Sequence, residues 1–97
     1  NTEKLIWKKS NREETIKNLE VVKNILSSIP EEEWTIENLD AKIMPEAEKA
    51  GKGNMLWPMR YALTGADKSP SPTEAAWVLG KDISTERIKD GIELLKK

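Results

Sequence analysis

The chain has 97 residues, 16 basic and 17 acidic side chains, a net charge of −1, and neither cysteine nor histidine. That length allows one domain with a modest core, and the composition excludes disulfides, thiolate metal sites and the commonest general base. No apolar run is long enough to span a membrane or to serve as a secretory signal.

Leu5, Ile6 and Trp7 stand between lysines near the start, as a helical turn or an extended arm would. Ser10-Asn11-Arg12-Glu13 has the S-x-x-E spacing of a capping box, with the serine accepting from the Glu13 N–H. Behind it Ile16, Leu19, Val22 and Leu26 recur at helical intervals with Ile25 and Ile29 beside them, and Pro30 ends the pattern. Pro30-Glu31-Glu32-Glu33-Trp34 reads as a connector with a solvated acidic run. Thr35 is an expected N-cap for a stripe of Ile36, Leu39, Ile43, Ala47 and Ala50. Pro45 lies inside that stripe, so a kink is expected there, or two helices meeting, the second from Pro45 to Ala50. Gly51 and Gly53 mark the end.

The centre of the chain is NMLWPMRYALTG, residues 54–65, apolar but for Arg60. Asn54 reads as its capping residue, and Pro58 fits best in a first helical turn, which moves the regular part towards Leu56. A short, mostly apolar helix of this kind is normally one that others pack around. Gly65 stops it, and residues 66–71 form a polar loop. Ser71-Pro72-Thr73-Glu74 is a second capping box with proline at the first helical position. The helix it opens ends at Gly80. Asp82 or Ser84 is expected to cap the last one, whose stripe is Ile88, Ile92 and Leu95. No segment alternates with period two. The expected fold is all-α, a compact bundle of about five helices in a single domain spanning residues 1–97. A start at Asn1 rather than Met reads as a fragment or processed piece.

Catalysis within these residues is not expected, and no metal ligand set is identified. Without His or Cys, nucleophile and base must come from Ser, Thr, Lys or carboxylates, and the carboxylates fall on solvent faces. Gly51-Lys52-Gly53 is too short to cradle a phosphate and reads as a helix break. Residues 1–50 carry 8 basic and 11 acidic side chains, and residues 51–97 carry 8 and 6. That split permits a polyanion to touch the second half without demanding one. Arg60 is either a snorkelling surface cation or a donor fork held rigidly for a base edge or a phosphate. Asp67-Lys68-Ser69-Pro70-Ser71-Pro72 is a proline-stiffened loop leading into a helix N-terminus, where exposed N–H groups favour an anion. Trp57 and Trp77, among Leu, Met and Val at helical spacing, are expected in the core, with Trp7 and Trp34 closing the ends of the body.

LWPMRYALTG over residues 56–65, the loop, SPSPTEAAWVLG over residues 69–80 and the closing helix resemble the C-terminal anticodon-binding region of bacterial glutamyl-tRNA synthetases, which are class I aminoacyl-tRNA synthetases. In that family a W/Q-P-L-R-x-A-L-T/S-G helix precedes a Ser/Thr-Pro loop, a helix ending in L-G-K and a final helix containing R-I or R-L. Pro58, Arg60, Ala62, Leu63, Thr64, Gly65, Ser69, Pro70, Leu79, Gly80, Lys81, Arg87 and Ile88 stand here in that order and spacing. Over residues 1–53 the resemblance rests on the helical pattern, the P-E-E-x-W connector and overall length.

The resemblance implies an all-helical domain that reads the anticodon of glutamate tRNA, within a cytoplasmic, monomeric ligase that attaches glutamate to that tRNA using ATP. The family's nucleotide-binding catalytic fold has no counterpart in these residues, so ATP and Mg are expected to act in another domain of the parent. The implied partners are the tRNA and the parent's upstream domains, with no membrane. Position by position, Arg60 matches an anticodon-contacting arginine on the central helix. Ser69, Pro70 and Pro72 match loop positions lining the anticodon bases, Pro72 standing where relatives can carry a larger apolar residue. Residues 1–53 would be supporting helices and residues 54–97 the RNA-contacting part. The alternative is a small helical protein-interaction module with no RNA role, in which the central helix is only core. Whether glutamine tRNA is also charged is left open.

Overall fold

Seventeen residues of amphipathic pattern form the first helix, α1 (Arg12–Ser28), in the computed structural model, which describes residues 5–6, 10–65 and 71–97. A 3-10 turn (Glu31–Glu33) follows, then α2 (Ile36–Ala50), α3 (Lys52–Thr64), α4 (Pro72–Leu79) and α5 (Lys81–Lys96). The described residues contain no strand. The all-α architecture, with these five helices among the described residues, matches the periodicity.

α3 touches each of the other four helices. It turns Met55, Met59 and Leu63 inward at four-residue steps, and all are buried. They join Leu19, Val22 and Leu26 of α1, Leu39, Ile43 and Ala47 of α2, Ala75 and Ala76 of α4, and Ile88, Ile92 and Leu95 of α5 in one core. α1 and α5 close on each other over Gly91, where an added Cβ would lie 3.3 Å from the Ala62 Cβ and 3.7 Å from the Leu19 Cδ1. The absence of a side chain there is what lets α5 approach both partners.

Several helix ends differ from the expected ones. The cap of α1 is Asn11, whose Oδ1 accepts from the Glu14 N–H at 2.9 Å. Asn caps as well as Ser, and the one-residue shift leaves the Ser10 hydroxyl buried without a partner. α2 runs unbroken through Pro45 rather than dividing there. Pro45 and Ala41, whose carbonyl the proline leaves without its N–H, are both exposed, so water can take the missing donor's place. α3 begins at Lys52, two residues before its expected cap. Asn54 points back instead, its Nδ2 donating to the Ala50 carbonyl at 2.9 Å, and so completes the end of α2. Gly51 makes this possible: its φ is +95°, and a Cβ on it would meet the Asn54 Nδ2 at 2.9 Å. Pro58 is consequently mid-helix and buried, not in a first turn. Thr35 and Ser71 cap α2 and α4 as expected, accepting from the N–H groups of Asn38 and Glu74.

α5 begins at Lys81, ahead of both its expected caps. Ser84 is buried inside it and donates to the Ala76 carbonyl at 3.1 Å. The same oxygen accepts from the Gly80 N–H at 3.0 Å and from Trp34 Nε1 at 3.0 Å. Three segments are thereby tied to one atom, with Trp34 closing that end of the body. Trp34→Phe keeps an aromatic ring, though a smaller one, and leaves the carbonyl two donors. It should cost only about 0.5–1.5 kcal/mol, read as a lower urea midpoint at unchanged slope.

Candidate nucleic-acid interface

Met55, Pro58, Met59 and Leu63 of α3 are buried, most of its other residues are partly buried, and Lys52 is exposed. Lys52, Leu56 and Arg60 repeat at four-residue steps on one side, with Gly53 and Trp57 alongside. Together they line an open pocket of about 280 Å³. Trp57 and Tyr61, one turn apart, stack with ring centroids 6.4 Å apart and planes inclined by 27°. Two cations thus share the lining with Trp57, Tyr61 lies outside it, and no carboxylate is among the described residues of the lining. Flat apolar faces beside fixed cations suit unpaired bases and their phosphates.

Arg60 is half-buried, and its Nε is covered without a hydrogen-bond partner. A covered donor without an acceptor is costly, and an incoming oxygen or ring nitrogen would recover that cost. Arg87, from α5, is used differently. Its Nη1 donates to the Leu63 carbonyl, placing a cation on the C-terminal turn of α3, where the helix dipole favours it.

Of the other expected contact residues, Ser69 and Pro70 lie outside the described residues. Pro72 is the first residue of α4 and is buried, so it shapes the entry to that helix through its fixed backbone rather than through an open ring face. Its neighbour Ser71 is exposed.

Trp57 and Trp77 depart from their expected core positions, and Trp7 lies outside the described residues. Trp57 is half-buried, and Trp77 is 48% exposed. α4 buries Pro72, Thr73, Ala75 and Ala76, so the next positions on its arc, Trp77 and Val78, turn outward. That arc was present in the sequence but yielded to the general preference of tryptophan for cores. Lys52 and Tyr61 were passed over for a related reason. Lys52 stood inside an apparent helix break, and only the true start of α3 puts it on one face with Arg60. No group of acidic side chains among the described residues could hold a metal ion, and no helix among them is long and apolar enough to cross a membrane.

The family model described as the anticodon binding domain matches residues 1–92. Among curated relatives, a glutamate–tRNA ligase of Clostridium botulinum (strain Eklund 17B) is 40% identical over 91% of this chain and 19% of its own length. One from Clostridium acetobutylicum is 41% identical over 81% of the chain and 17% of its own length. One from Clostridium tetani is 35% identical over 91% of the chain and 18% of its own length. The chain therefore spans less than a fifth of these relatives. No solved structure matches it. With a single helical body matched almost end to end, the chain belongs to the anticodon binding domain family.

Proposed function

We propose that the chain reads the anticodon of glutamate tRNA as the C-terminal part of a cytoplasmic, monomeric glutamate–tRNA ligase. The observation that carries this reading is the pocket of Lys52, Leu56, Trp57 and Arg60, with a covered Arg60 Nε that has no acceptor. It sits in a chain 40% identical to a ligase of that name over 91% of its length. In this reading an anticodon base lies against the Trp57–Tyr61 pair, Arg60 donates to a base edge or phosphate, and Lys52 meets the backbone. Ser69 and Pro70 add contacts to the anticodon bases, and Pro72 fixes the backbone where α4 begins. Activation of glutamate with ATP and Mg belongs to a different domain, which also supplies most contacts to the tRNA. The small net charge is in keeping with that division.

Titration of the ¹⁵N-labelled chain with the anticodon stem-loop of glutamate tRNA tests this. Shifts should cluster on residues 52–61 and around Ser71, and a stem-loop with a scrambled anticodon should bind less tightly. Arg60→Ala should cost about 1–3 kcal/mol of this discrimination, by analogy with base-specific contacts in duplexes. Arg60→Lys, which keeps the charge but loses the planar fork, should recover only part of it. Shifts confined to another face, or equal affinity for the scrambled loop, would remove anticodon reading from this pocket.

A further inference from the structure

Pro58 breaks the hydrogen-bond ladder of α3 on its buried side. It has no N–H to offer the Asn54 carbonyl four residues earlier, and its ring crowds that oxygen. Pro58 is buried and Asn54 partly so, whereas Pro45 and Ala41 are both open to solvent. The oxygen is satisfied from another helix instead: Asn18 Nδ2 of α1 donates to it at 3.2 Å. Asn18 is 4% exposed and interrupts the inward stripe of α1, between Thr15 and Leu19. A buried amide in such a stripe needs a partner, and the broken ladder provides one. Each irregularity accounts for the other. Asn54 is held from its other end as well, through its bond to the Ala50 carbonyl. Trp57 and Arg60 follow within the next two turns.

We propose that Asn18 is a positioning residue for RNA recognition. By donating to the Asn54 carbonyl it sets the rotation of α3 against α1, and with it the direction in which Trp57 and Arg60 leave the surface. Asn18 does not itself line the pocket. The proposal rests on the RNA-reading function proposed above, so its test has one arm with RNA and one without.

The RNA-free arm measures residual dipolar couplings of α3 amides relative to those of α1. The other measures stem-loop affinity well below the unfolding midpoint, where lost stability alone changes neither quantity. Asn18→Leu keeps the branching of the side chain, with two bulkier methyl groups in place of the amide, and removes the donor. It should change the α3 couplings and weaken binding about tenfold, the scale of one buried acceptor left unsatisfied. Adding Pro58→Ala returns a backbone N–H to the Asn54 carbonyl and should restore both readings. Should Asn18→Leu alone fail to fold, Pro58→Ala is compared with the double variant, and a near-equal pair supports the proposal. Unchanged couplings in Asn18→Leu overturn it, as does a moved helix with unchanged affinity, or a double variant that recovers neither. A wild-type chain that binds no stem-loop overturns the RNA function and this role together, while the couplings still report whether Asn18 orients the helix.

Discussion

Leu63→Ala should lower the stability of the chain by about 2–5 kcal/mol, the range for removing a fully buried leucine side chain. Leu63 is 0% exposed and closes the inward edge of α3, the helix that every other helix touches. Its loss cannot be confined to one contact between two elements. The bond from Arg87 goes to the Leu63 carbonyl, which alanine retains, so the change reads the side chain alone. A domain of this size is stable by roughly 5–15 kcal/mol in total. The melting temperature should therefore fall by roughly 10–30 °C, measured by circular dichroism at 222 nm. A fall of only a degree or two would mean that α3 is not the centre of the packing.

Gly91→Val should destabilise by about 1–3 kcal/mol, for the opposite reason. The Cβ alone would press on the Ala62 Cβ at 3.3 Å, and the γ methyls reach further into a space already bounded by Leu19 and Leu5. Valine also gains little of the helix propensity that alanine would gain over glycine. Gly91→Ala separates the two effects. Its helix propensity gain of up to about 1 kcal/mol offsets a contact that needs only a few tenths of an ångström of relief. Urea unfolding of the two variants should rank wild type and Gly91→Ala close together and Gly91→Val well below.

Helix number, helix order and most of the core were legible because they depend on periodicity. Leu19, Val22 and Leu26, then Leu39, Ile43 and Ala47, then Ile88, Ile92 and Leu95 are buried where their spacing put them. The starts of helices were less legible, because a cap is a competition among neighbours of similar strength. Asn11 prevailed over Ser10, and Asn54 served the helix behind it instead of the one ahead. Prolines were read by their local cost, which tertiary partners can offset. Pro45 is open to solvent and Asn18 relieves Pro58, and only the second involves a residue 36 positions away from the carbonyl it satisfies. Arg60 stood out early as a lone cation in an apolar stretch. Its companion Lys52 became visible only when the start of α3 fixed which positions share a face.

The two glycine corners have a bearing on how the domain can vary. One residue, Gly51, joins α2 to α3, and one residue, Gly80, joins α4 to α5. An insertion at the first would pull the Asn54 amide from Ala50, and at the second it would separate the three donors that share the Ala76 oxygen. Between α1 and α5, changes in chain length are thus confined to the connections from Ser28 to Ile36 and from Thr64 to Pro72. The second of these carries Ser69 and Pro70 and leads out of the helix that bears Arg60. A change of length in this second connection would leave the rigid corners alone, so new base preferences can arise there without a new fold.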